Sequence, residues 1–583
     1  MSARSFGPRL TDKGATFRLW APAAGRVEVM LDQPVAMTAE EDGWYSVDVP
    51  GVTAGATYRF RIDGKTEVPD PGSSFQPEDV NGPSEIIDHS AYQWLAADWR
   101  GRPWDETVLL ETHVGTFTQD GTYRAMIDKL DHLVKTGFTA LELMPLADFA
   151  GSRNWGYDGV LLYAPDHVYG RPDDLKALID EAHLRGISVF LDVVYNHFGP
   201  EGNYIGAYAP TFFCDAQTPW GSAIDYRQPA VRAYAIENAL MWLRDYRFDG
   251  LRLDAVHAIT EPGDVPMLHE LSREVGKLAA DTGRQIHLVL ENDDNRAGLL
   301  DPVTNPARGK YRAQWNDDYH HAWHVLLSGE DKGYYADYAP RPIDHVVQAL
   351  GSGFAYQGQP SAHRGGEERG EPSGALPPSA FVNFLQNHDQ IGNRALGDRL
   401  EAIADPLAVE AALAITLLAP MVPMLFQGEE WGSKVPFPFF CDFQGDLADA
   451  VRNGRKKEFA SAYEKYGDDI PDPLDAATFD NAKIDWEMRD GAGKRRWAMV
   501  RDLLRMRKQH IVPRSIGARF GKVEHADGLL IANWTMSDDS LLVLRANLSD
   551  KAVTAPAASG TLIWGRQGDA LAPWAIQWWI GDK

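Results

Sequence analysis

The chain has 583 residues, of which 44% are hydrophobic and 11% aromatic, enough for a large buried core and inconsistent with a disordered chain. Lys and Arg number 57 against 83 Asp and Glu, a formal net charge of -26 that argues against nucleic acid or an anionic membrane as partners. The two cysteines, Cys214 and Cys441, are too few for a disulfide framework or a structural zinc site and suit a reducing compartment. No run of about 18 apolar residues reads as a membrane span, and the first residues hold no signal-peptide core, so a cytoplasmic protein is expected.

Residues 1–98 read as an antiparallel β-sandwich. Runs at 17–22, 26–31, 44–49 and 58–62 alternate apolar and polar residues, with turn signals at Glu41-Asp42-Gly43 and Asp63-Gly64. Residues 99–512 have another rhythm: short, nearly continuous apolar runs separated by helical stretches, as buried parallel strands require. Eight such runs fall at 108–110, 140–144, 189–194, 250–253, 286–290, 312–315, 381–385 and 422–426, the sixth being short and mixed. In the helix near 230–245, Ile236, Leu240 and Leu243 share one face. Eight β/α repeats predict a TIM barrel of the α/β class. Long insertions at 145–172 and 198–228 supply material for a cleft, and the Gly- and Pro-rich stretch 357–378 reads as a mobile surface loop. Residues 513–583 return to β patterning, with strands at 529–534, 541–544 and 561–564, and predict a C-terminal antiparallel domain.

Functional groups of such a barrel sit where its strands end. Those ends read Glu111-Thr-His113, Asp192 to His197, Arg252-Leu-Asp254, Glu291-Asn-Asp293, Asn387-His-Asp389 and Gln427-Gly-Glu429. One acidic strand end is usually a helix cap or an ion-pair partner. A rim of them is not explained by capping. Glycosidic cleavage needs such a set: one carboxylic acid to protonate the leaving oxygen and one carboxylate to meet the oxocarbenium-like centre.

Four stretches carry a resemblance. Leu191-Asp-Val-Val-Tyr-Asn-His197, Gly250-Leu-Arg-Leu-Asp254, Leu290-Glu-Asn292 and Phe384-Leu-Gln-Asn-His-Asp389 resemble, in order, the signature regions of the α-amylase family, glycoside hydrolase family 13. The resemblance implies that Asp254 is the nucleophile, Glu291 the general acid/base and Asp389 the third acid. It also implies that His197 and His388 hold the sugar before the scissile bond and that Tyr157 stacks beneath it. Arg252, two residues before Asp254 on a strand, points to the same side and should depress its pKa. Glu291 should be raised by desolvation and its neighbouring carboxylates. Asp192 is expected to be a structural partner of Arg252. Asn196 aligns with a calcium ligand of many α-amylases, but the rest of that site is missing, so no metal and no cofactor are expected.

Further stretches, among them Asn196-His-Phe-Gly-Pro-Glu-Gly-Asn-Tyr204, Gln314-Trp-Asn-Asp-Asp-Tyr-His-His321 and Gln386-Asn-His-Asp-Gln-Ile-Gly-Asn-Arg394, resemble the maltooligosyltrehalose trehalohydrolase branch of that family. That branch cleaves the α-1,4 bond next to a terminal trehalose. Maltooligosyltrehalose and related α-glucans would then be the substrates, and a maltooligosyltrehalose synthase the pathway partner. Parts of the same stretches resemble glucan branching enzymes, which stay open as an alternative. A non-catalytic glucan-binding protein would have lost one of the three acids, and all are present. Candidates for the leaving side of the cleft are Trp220, Trp315, Asp318, His320, Trp431 and Phe439, each of which could equally be ordinary packing.

Overall fold

The structure, a computed structural model, describes residues 5–259, 266–301 and 310–581. Its centre is a closed parallel barrel whose strands neighbour one another in chain order: β1 (Leu109–Thr112), β2 (Ala140–Leu143), β3 (Ser188–Val193), β4 (Gly250–Leu253), β5 (His287–Leu290), β6 (Ala313–Trp315), β7 (Phe381–Asn383) and β8 (Val422–Phe426). Every residue of these strands except His287 is buried, which is why they read as apolar runs. The sixth is three residues long, matching its weak pattern.

Alternate residues of each strand face the barrel interior, so i and i+2 stack in layers. The lower layer is apolar: Leu109, Ala140, Phe190, Val289, Ala313 and Val382 pack together, with Trp104 closing the bottom through an Nε1–H donated to Ser379 O at 2.7 Å. Two residues further on, the same alternation brings Glu111, Glu142, Asp192, Arg252 and Trp315 into the layer above. The register sets Glu111 beside Glu142 and Asp192 beside Arg252. The fold thus builds a charged layer on an apolar floor.

Before the barrel, a four-stranded sheet (Gly14–Trp20 and Trp44–Pro50 at its centre) accompanies a second sheet built on Val27–Met30 and Thr57–Ile62, with Phe17, Leu19, Val29 and Phe60 buried. After it, a five-stranded antiparallel sheet runs Arg519–Ala526, Leu529–Thr535, Leu541–Asn547, Ile576–Gly581, Thr561–Trp564. The stretch 357–378 departs from the surface loop expected of it. Gln359–Pro360 pairs with Glu368–Arg369, Ser361 and Ser373 are fully buried, and Arg364 and Arg369 grip Asp293. Among the described residues no helix is long and apolar enough to cross a membrane.

Gly250 opens β4 with no room for a side chain: a Cβ there would lie 2.3 Å from the Phe190 ring and 2.5 Å from the His287 carbonyl oxygen. Gly250→Ala is therefore expected to destabilise the barrel by about 1–3 kcal/mol or more through overpacking. Chemical denaturation against the parent chain measures it; an unchanged midpoint would show that strand spacing is not set there.

Candidate active site

Arg252 is 1% exposed and organises the top of the barrel. Its Nη1 donates to both oxygens of Asp192 (2.9 and 2.7 Å) and to Asp254 Oδ1 (2.8 Å), while Nη2 lies 2.9 Å from Glu291 Oε2. The guanidinium stands 4.1 Å over the Trp315 ring. Ala255, next to Asp254, holds a left-handed backbone (φ 39°, ψ 50°), unfavourable for a residue with a Cβ. That turn aims its N–H at Glu291 Oε2, 2.8 Å away.

The other expected groups surround this pair. Asn196 Nδ2 donates to Asp254 Oδ2 at 2.7 Å, and its oxygen meets His197 Nδ1. Asn196 is thus turned toward Asp254. His197 Nε2 lies 2.9 Å from Tyr157 O; Tyr157 donates its hydroxyl to Asp192 at 2.5 Å and stacks on His388, centroids 4.9 Å apart. His388 is paired through Nδ1 with Glu111. Asp389 follows on the short helix His388–Gly392, capped by Asn387.

The electrostatics separate the acids. Burial pushes the Asp254 carboxyl up, but Arg252, His197 and the Asn196 hydrogen bond hold it below its ordinary value. Burial and the charges of Asp254, Asp317 and Asp389 drive Glu291 well above the carboxylate range despite Arg252. Asp389 is raised by burial, against His388. Burial works against the charged form of His388, and Glu111 more than offsets it. One carboxyl drawn down beside one driven up is the arrangement that acid–base chemistry at neutral pH needs.

Two adjoining cavities meet at these residues. The larger, about 710 Å³, is lined by Trp155, Tyr157, His197, Trp220, Asp254 and Phe439, among others. Trp220, on the hairpin Phe213–Thr218/Gly221–Ile224, stacks on His197 at 4.5 Å. The smaller, about 230 Å³, shares His257, Glu291 and Asp389 with it and continues between Asp293, Asp317, His321, Tyr334, His363 and Arg364. Burial and the charges of Asp293 and Asp389 push Asp317 up to about 7.

Trp315, Asp318, His320 and Trp431, four of the residues expected on the leaving side, line neither cavity. Trp315 is the floor under Arg252. Asp318 is fully buried, accepting from Asn295 Nδ2 and from the backbone N–H groups of Ala355 and Tyr356. His320 contacts Leu385 O and the Tyr335 hydroxyl. Trp431 packs against His132 and Trp486. Their polarity and aromaticity serve packing. The groups that do line the smaller cavity include Asp293, already visible at a strand end, and Asp317, His321 and Gln390, which lie in the singled-out stretches 314–321 and 386–394.

Comparison with known proteins agrees with this geometry. The model of the α-amylase catalytic domain matches residues 88–209, that of carbohydrate-binding module 48 (isoamylase N-terminal domain) residues 5–79, and a domain of unknown function residues 519–578. The crystal structure of a Salmonella typhimurium protein superimposes with a TM-score of 0.95 at 43% identity, covering 100% of both chains. A 1,4-α-glucan branching enzyme of Pseudoalteromonas atlantica is 33% identical, but over 41% of this chain and 37% of its own. The malto-oligosyltrehalose trehalohydrolase of Deinococcus radiodurans is 46% identical over 85% of this chain and 81% of its own. With 46% identity over that share of both chains, the chain belongs to the malto-oligosyltrehalose trehalohydrolases, glycoside hydrolases of the α-amylase family.

Proposed function

We propose that the chain cleaves the α-1,4 bond next to the terminal trehalose of maltooligosyltrehalose with retention, using Asp254, Glu291 and Asp389. The observation that carries this reading is that one guanidinium, Arg252, contacts both carboxyls, in surroundings that draw Asp254 down and drive Glu291 up. Retention is the outcome that membership of the α-amylase family supports, with Asp254 and Glu291 held on the same guanidinium. In the first step an Asp254 oxygen bonds to the anomeric carbon while Glu291 gives its proton to the glycosidic oxygen, and the bond between that oxygen and carbon breaks. In the second, Glu291 takes a proton from water, the water oxygen bonds to the anomeric carbon, and Asp254 leaves.

Tyr157, His197 and His388 face the larger cavity and would hold the sugar that is attacked, with Trp220 and Phe439 as stacking surfaces for the glucan. The smaller cavity lies beyond Glu291 and would receive the leaving trehalose. Its polar wall suits a bent, non-reducing disaccharide, and hydroxyls misplaced in it would leave buried polar groups unpaired. An enzyme that builds the trehalose end onto a malto-oligosaccharide would supply the substrate. A cytoplasmic setting fits two free thiols, Cys214 and Cys441.

Incubation with maltooligosyltrehalose should release trehalose plus a shorter malto-oligosaccharide, with amylose of similar length attacked far more slowly; α-1,6 branches on amylose without trehalose would make it a branching enzyme. Asp254→Asn should cost about four orders of magnitude in kcat while glucan still binds. Rate should fall at low pH as Asp254 protonates, below the ordinary carboxylate range, and at high pH as Glu291 loses its proton. Glu291→Gln should abolish that alkaline limb, and a limb left in place would reassign the acid. His363→Ala, at the smaller cavity, should lower kcat/KM on maltooligosyltrehalose about tenfold and leave amylose nearly unchanged; equal losses on both would move trehalose elsewhere.

A further inference from the structure

The insertion after β2 leaves the barrel along Ala147–Asp148 and returns antiparallel along Leu161–Pro165, presenting Trp155 and Tyr157 between its arms. At its base lie three groups remote from the reaction: Asp148, Asp166 and His167, each with a ligand atom within 4.8 Å of the others. His167 Nδ1 stands 3.6 Å from Asp148 Oδ1 and 3.5 Å from Asp166 Oδ1. Both separations are long for a hydrogen bond. They match the edge of a tetrahedron, since two donors each about 2.1 Å from a common ion stand about 3.4 Å apart.

The partners around the cluster make the same point. Asp148 is 0% exposed, and neither of its carboxylate oxygens meets a donor at good hydrogen-bond geometry, nor does His167 Nδ1 have a partner at such geometry. The backbone N–H of His167 gives Asp148 slight relief, while Asp79 and Asp166 add negative charge beside it. Asp166 is fixed in place by the N–H groups of Phe149 (3.0 Å) and Val168 (2.9 Å), and Asp79 is bound to Val80 N and Gly151 N. A buried, unpartnered carboxylate is costly, and a cation is the group that would relieve it.

We propose that Asp148, Asp166 and His167 form a structural site for a divalent transition metal that staples the base of the hairpin carrying Tyr157. Two carboxylates and one imidazole favour Zn²⁺ or Mn²⁺ over Ca²⁺ and Mg²⁺, whose shells are built from oxygen. This departs from the absence of metal that the sequence led us to expect, and it stands apart from the catalytic assignments.

The test uses the full chain, stripped with chelator and titrated with Zn²⁺ and with Mn²⁺ by calorimetry, alongside thermal melts. One equivalent of at least one of the two ions should bind at micromolar affinity or tighter and raise the melting temperature. Asp148→Asn and His167→Ala should each weaken that binding at least 100-fold and lose the shift. Asp148→Asn should melt no lower than the stripped parent, because it removes an unpaired buried charge, and so remains informative if His167→Ala does not fold. Absence of saturable binding to the parent chain, or one equivalent that persists in Asp148→Asn, would overturn the proposal.

Discussion

One buried guanidinium is the constraint on which the site depends. Arg252 sits inside the barrel because β4 must alternate, and the residue two places before Asp254 has nowhere to point but the interior. There it meets Asp192, Asp254 and Glu291 at hydrogen-bond distance and rests on Trp315. Taking away such a charge would leave its partners buried and uncompensated, a loss of about 3–5 kcal/mol for a single pair. The same contact holds Asp254 ionised. Stability of the charged layer and readiness of the carboxylate are therefore one interaction, and the apolar layer below keeps water from screening it.

The loops contribute what strands cannot. Tyr157 is held by its hydroxyl on Asp192, by its ring on His388 and by its carbonyl near His197. Three contacts, to the ends of β3 and β7 and to the β3 loop, fix one insertion over the barrel mouth. The smaller cavity is closed in the same manner from the opposite side, where Arg364 and Arg369 draw the 357–378 stretch onto Asp293. Charge placed at a strand end thus anchors the loop that completes the cleft above it. Of the two arginines only Arg369 is buried, so its pair with the half-exposed Asp293 is the less screened anchor.

The barrel was legible because burial on both faces leaves little freedom in composition: each of the eight apolar runs became a strand. The N-terminal sandwich was legible from alternation. Two C-terminal strands were not. Arg519–Ala526 is a mostly exposed edge strand with half-buried Phe520 and Val523 and no apolar run, and Ile576–Gly581 hides in the aromatic stretch closing the chain. In the helix Pro229–Asp245 the buried face is centred on Val231, Ala235 and Trp242, so Leu240 ended half-buried. The acids and histidines at the strand ends came together as expected, since strand parity dictates where they point. The leaving-side residues did not. A tryptophan that lines the cleft and one that lies beneath an arginine look alike in sequence, and only long-range packing separates Trp220 from Trp315.

Buried carboxylates recur in this chain, and they are answered in different ways. Asp254 has Arg252. Glu111 has His388. Glu142, fully buried with no hydrogen-bond partner, is driven well above the carboxylate range by burial and by Asp192 and Glu111, which favours its neutral form; both of those neighbours already face Arg252 and His388. Protonation is the answer left to it. Asp148 starts from the same burial, but its surroundings differ in kind: a second carboxylate whose backbone hydrogen bonds fix its direction, and an imidazole nitrogen at tetrahedral spacing from both. A lone proton could be shared by Asp148 and the His167 nitrogen, but it would leave the second Asp148 oxygen unanswered. A divalent ion would satisfy all three donors at once, and it would do so where the two arms of the Tyr157 hairpin meet, coupling the rigidity of that insertion to an interaction the reaction itself does not use.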